Sequence, residues 1–100
     1  MSEFGMPWDK GEKPFFVNEE GFEWYKNPDE TNWAHRKDSF GTTLPNIICV
    51  YIRKEGYATR AIMDIKTNEI IYESQSLEAI AVKIDIMKAI KRYDNDDNKK

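Results

Sequence analysis

The segment from Ser76 to Tyr93 constrains the fold more than any other, because it reads as a helix with too much apolar surface for one packing face. At 100° per residue, Ala79, Ile80, Ala81, Val82, Ile84, Ile86, Met87, Ala89, Ile90 and Tyr93 spread over about two thirds of the circumference. An ordinary surface helix carries a stripe of roughly 100°. Glu78, Asp85, Lys88 and Arg92 are left to form its polar face. Ser76 is the expected N-cap, with Ser74 the competing choice. Glu78 near the positive end and Lys88, Lys91 and Arg92 near the negative end agree with the helix dipole. One side of the apolar arc suits a sheet. The side around Val82, Ile86, Ala89 and Tyr93 is a candidate dimer face that needs a second cover: the N-terminal aromatic segment, an early hairpin, or another copy of the chain related by a two-fold axis.

The sheet is announced by Ile47 to Ile52, apolar at six consecutive positions and β-branched at four of them, as expected of a central strand covered on both sides. Glu55 and Gly56 make a turn, and Thr59 to Ile65 returns as a second strand. Lys66, Thr67, Asn68 and Glu69 form another turn, in which Asn68 is best able to take a left-handed conformation. Ile70 to Glu73 completes a three-stranded meander. Upstream, Phe22 to Lys26 and Thr31 to Arg36 flank Asn27-Pro28-Asp29-Glu30, a sequence suited to a type I turn, and so predict an N-terminal hairpin in which Trp24 faces Trp33. Lys37 to Asn46 reads as loop. The expected fold is α+β: an antiparallel β-meander of three strands, preceded by that hairpin, packed on one C-terminal α-helix. Residues 1–20, with Gly5, Pro7, Gly11 and Pro14 among Phe4, Trp8, Phe15 and Phe16, read as an extended aromatic arm that packs along the domain or docks on a partner. Residues 21–93 form the single domain and 94–100 a disordered polar tail.

Few residues offer chemistry. His35 is the only histidine and Cys49 the only cysteine. Cys49 sits inside the apolar run, where a buried structural thiol is expected, and a lone cysteine forms no internal disulfide. No phosphate-binding glycine loop, HExxH pattern or calcium loop is present. The sequence therefore predicts a protein that is not an enzyme and has no catalytic residues, metal ligands or cofactor. No apolar run approaches the length of a membrane span, and the N-terminus lacks a secretory pattern, so the expected location is cytoplasmic and no membrane partner is expected.

The net charge of −3 is uneven: residues 1–45 carry five basic and nine acidic side chains, whereas 46–93 carry eight and six. Nine of the thirteen aromatic residues also lie in the first forty positions. Phe15, Phe16, Glu19, Glu20, Glu23, Trp24, Tyr25 and Trp33 thus combine aromatic anchors with an acidic rim, the composition of a protein-binding surface. The alternative is single-stranded nucleic acid held on the sheet by Arg53, Lys54, Arg60 and Lys66, with aromatic residues for base stacking. A meander followed by a helix resembles, in topology, the fold of a single-strand-binding coactivator that dimerises through its helices. The acidic front half argues against that alternative, because phosphate is repelled there.

The unit from Cys49 through Lys88, especially Asp64-Ile65-Lys66-Thr67-Asn68-Glu69-Ile70 leading into Ser76-Leu77-Glu78, resembles small uncharacterised accessory proteins of phages and mobile elements of low-GC bacteria. The resemblance covers about half of the chain and transfers no functional residue. It implies a non-enzymatic modulator or inhibitor that binds a host protein.

Overall fold

The computed structural model describes the backbone of residues 6–98 and the side chains as far as Asp94. Phe4 of the expected arm and residues 99–100 of the expected tail lie outside the described residues. The architecture is α+β: a five-stranded antiparallel sheet in sequential order carries two helices. The strands are β1 (Phe16–Val17), β2 (Glu23–Lys26), β3 (Ile47–Lys54), β4 (Tyr57–Asp64) and β5 (Glu69–Ser74), and the helices are α1 (Pro28–His35) and α2 (Leu77–Asn98).

The apolar run is indeed the central strand, with β2 on one side and β4 on the other. Gly56, at φ 84°, supplies the left-handed residue of the β3–β4 turn. Asn68, at φ 60°, does the same between β4 and β5, as its side chain suits. In an antiparallel pair, residues directly opposite share a face. The register Cys49↔Ile62↔Tyr72 therefore defines one face, and Trp24↔Ile52↔Thr59 and Val50↔Ala61↔Glu73 the other. At Ile62/Met63 the pairing with β5 shifts, and Ile71 is the extra residue of a bulge.

Two corrections concern the chain's first half. Thr31 to Arg36 is not the second strand of a hairpin but lies in and caps α1, so Trp24 and Trp33 do not face each other across a strand pair. The first turn of a helix and a type I turn share their dihedral angles, so Asn-Pro-Asp-Glu is locally ambiguous. The helix has its cap, since Asn27 Oδ1 accepts from Glu30 N at 3.3 Å and Pro28 occupies the first turn, and the contacts of Asn27 and Thr31 with Cys49 decide for it. The arm, expected to be extended without regular structure, contributes a short strand. Phe16 and Val17 pair with Trp24 and Glu23, and a 3-10 turn at Pro7–Lys10 sets Trp8 against Tyr25 and Tyr51, at 5.2 and 6.2 Å between ring centroids.

α1 takes over where β2 stops. Beyond the Lys26↔Val50 pair, Asn27 N donates to Cys49 O, Cys49 N donates to Thr31 Oγ1, and His35 Nε2 donates to Ile47 O at 2.8 Å. Three residues four apart on one helix face thereby satisfy the edge of β3 that a strand would otherwise have covered. His35 is held by its backbone acceptor.

α2 begins where Ser76 Oγ accepts from Ala79 N and continues past Tyr93 to Asn98, so residues 94–98 of the expected tail are helical. Its Ile80 and Ile84 join Ala34, Leu44, Ile47, Cys49 and Ile62 in the larger core. Burying each such isoleucine contributes about 1.5–3 kcal/mol. The expected polar face of this helix does not exist as such. Lys88 is only 5% exposed and donates from Nζ to Trp33 O (2.6 Å) and Arg36 O (2.7 Å), closing the C-terminal end of α1. Lys91 Nζ reaches Thr43 O, and Arg92 pairs with Asp38 at 2.8 Å while lying over the Phe40 ring. Backbone hydrogen bonds from Thr42 and Phe40, together with the Arg92 charge, outweigh local desolvation and hold the Asp38 carboxyl below its usual value. No helix of the described residues is long and apolar enough to cross a membrane.

Candidate interaction surface

Both helices pack on the face that carries Ile47, Cys49 and Ile62. On the other face, Val50, Ile52 and Ala61 form a second small core whose partly buried neighbours are Phe22, Trp24 and Ile48, all from the sheet or the turn beside it. Among the described residues no helix contributes to it. Among the described residues this face is closed by its own side chains, and its rim is aromatic.

β1 brings Phe16 opposite Trp24, and the two rings meet edge to face at 5.5 Å and 88°. Phe15 N donates to Trp24 O, which places Phe15 beside them. Phe15 and Phe16 are nevertheless 44% and 49% exposed. Together with Trp24, Met63 and Asn68 they line a groove of about 380 Å³. The Trp24 Nε1 atom is buried and has no hydrogen-bond partner among the described residues. Such a donor costs about 1–3 kcal/mol unless an acceptor reaches it.

The eight residues expected to bind protein therefore divide. Phe15, Phe16 and Trp24 meet on the helix-free face, and Glu19 and Glu20 are exposed in the turn leading to β2. Glu23, Tyr25 and Trp33 belong to the helix-bearing side. Tyr25 is buried, and its hydroxyl donates to Glu23 at 2.7 Å. Burial, followed by that carboxylate, pushes the phenol's pKa up. Trp33 packs on the larger core. The sequence does not single out Met63 and Asn68 as site residues. Only the strand register brings them beside the aromatic pair.

Of the four cations in the nucleic-acid alternative, three stand against carboxylates. Arg53 lies 3.7 Å from Glu23 and over the Trp8 ring. Arg60 is held by the buried Glu30 at 2.9 Å, and Lys54 by Glu73 at 2.6 Å. Only Lys66 has no carboxylate at ion-pair distance among the described residues. Arg53 and Arg60 moreover project from the helix-bearing face, away from the aromatic groove. The hydrogen bond to Glu73 raises the Lys54 amine above its ordinary value. Burial works to raise the Glu73 carboxyl, but hydrogen bonds from Lys54 and Thr59 overcome it and leave the carboxyl below its ordinary value.

Cys49 is 1% exposed, and burial, followed by the nearby Glu30 charge, pushes its thiol up to about 12. A thiol in that condition supplies almost no thiolate at neutral pH. Burial and Glu30 also raise the Tyr51 hydroxyl. Among the described residues no three His, Cys, Asp or Glu side chains gather as a metal-binding group. No protein-family model, curated protein or solved structure matches the chain.

Proposed function

We propose that this protein acts without catalysis, by binding another protein through the helix-free face of its sheet. The observation that carries the reading is the groove of Phe15, Phe16, Trp24 and Met63, with two phenylalanines about half exposed on a face that no helix of the described residues covers. Large aromatic side chains beside a well-packed floor are what interface hot spots are made of. Glu19 and Glu20, exposed in the adjoining turn, favour a partner with a basic surface. A host protein met in the cytoplasm is the partner implied by the resemblance to phage and mobile-element accessory proteins. The ion pairs of Arg53, Lys54 and Arg60 weigh against single-stranded nucleic acid on the sheet.

The test is affinity capture from an extract of the native host with the wild-type chain and two variants, Phe15→Ser/Phe16→Ser and Glu19→Lys/Glu20→Lys. The reading expects one protein partner retained by the wild type, lost with the first variant and weakened with the second. Retention unchanged by the aromatic variant would place the interface elsewhere.

A further inference from the structure

On α2, Ala79, Val82, Ile86, Ala89 and Tyr93 are spaced 3, 4, 3 and 4 residues apart, which is the a/d pattern of a coiled-coil seam. At 3.6 residues per turn this stripe is centred about 160° from Ile80 and Ile84, so it turns away from the core, with Tyr72 of β5 bordering it beside Ala79, Val82 and Ile86. The structure agrees: Val82, Ile86 and Tyr93 are 56%, 46% and 69% exposed, and neighbouring Ile90 is 53% exposed. The N-terminal 3-10 turn, one of the covers the sequence left open, stacks instead on Tyr25, Tyr51 and Arg53.

We infer that the occupant of this stripe is a second copy of the chain, with the two α2 helices parallel about a two-fold axis. The flanking charges select both the partner and the direction. Glu78 flanks the stripe on one side and Lys83 on the other, and neither has an ion-pair partner among the described residues. In a parallel pair each Glu78 stands opposite the partner's Lys83, five positions on, so the contact is made twice. An antiparallel pair sets Asp85 against its own copy on the axis. It also directs Glu78 at Arg92, which Asp38 already neutralises. The small residues Ala79 and Ala89 let the helices approach closely between layers of Val82, Ile86 and Tyr93. Because α2 packs on the opposite side of the sheet from Val50, Ile52 and Ala61, pairing through α2 leaves both helix-free faces open. The inference is independent of what those faces bind.

Sedimentation equilibrium of the full chain over a dilution series from the low micromolar range tests it. The expected mass is twice the 11.8 kDa of the chain. Ile86→Glu and Val82→Glu, at exposed positions, are expected to weaken association by at least about a hundredfold, with unchanged circular dichroism. Glu78→Lys is expected to weaken it about fivefold, and Glu78→Lys/Lys83→Glu to restore it. Tyr93→Cys reads the orientation, since Cys49 is buried. Oxidation links two parallel chains, whose copies of position 93 are adjacent. A monomer at all concentrations, a dimer indifferent to Ile86→Glu, or a dimer that Tyr93→Cys fails to cross-link would each overturn the proposal.

Discussion

On one face of the sheet, two helices bring Ala34, Ile80 and Ile84 onto Cys49 and Ile62; on the other, among the described residues, Val50, Ile52 and Ala61 are covered by side chains of the sheet and its adjoining turn alone. The helix-bearing face uses its polar groups for construction. Thr31 and His35 complete the edge of β3, Lys88 closes α1, and Glu30 holds Arg60. The helix-free face leaves two phenylalanines about half in water. The first face explains why the chain folds, and the second has more aromatic surface than folding uses. That difference is the basis for assigning binding to the second.

The difference is open to direct attack by mutation. Ile84→Ala, in the larger core, is expected to cost about 3 kcal/mol in denaturant unfolding, and Phe16→Ala less than about 1 kcal/mol, because half of that ring is already solvated. Equal losses would mean that the helix-free face is structural after all. Lys88→Met keeps the apolar stem but leaves the Trp33 and Arg36 carbonyls without their donor. About 2 kcal/mol is expected, with faster amide exchange in the last turn of α1. No loss would show that this lysine is incidental to helix docking.

Smaller effects follow from titration. The Glu73 carboxyl is held below its ordinary 4.5, so the stability it contributes is present above that pH and is lost as pH falls through its lower folded value. Glu73→Gln should therefore flatten the loss of stability measured by urea midpoints on the acid side. An unchanged acid profile would remove the Lys54 pair as a support of the helix-free face. The smallest effect expected is at Cys49, whose thiol stands near 12 against an ordinary 9.0. At mildly alkaline pH a thiol reagent should label it only at the rate of opening, and rapid labelling of the native chain would show the larger core to be permeable.

Much of the second half was legible because its signals are local. The β-branched run, Gly56, Asn68 and the Ser76 cap each act within a few residues, and β3, β4, β5 and the start of α2 follow from them. The first half was less legible because its local signals fit two structures. Asn27-Pro28 opens a helix or a turn with the same dihedral angles, and the free edge of β3, supplied from residues far along the chain, decides for the helix. Lys88 falls at the margin of the core face in a helical wheel, next to Ile84, where its charge alone assigns it to solvent. Its burial depends on carbonyls more than fifty residues away, for which the sequence carries no local sign. At the candidate site, Phe15, Phe16 and Trp24 stood out by composition, whereas Met63 and Asn68 join them only through strand register.

The central claim is that Phe15 and Phe16 serve recognition rather than folding. Its most direct test is partner capture by the Phe15→Ser/Phe16→Ser chain, measured at a temperature where circular dichroism shows that chain to be folded. Loss of the partner from a folded chain is the predicted result; full retention would contradict it.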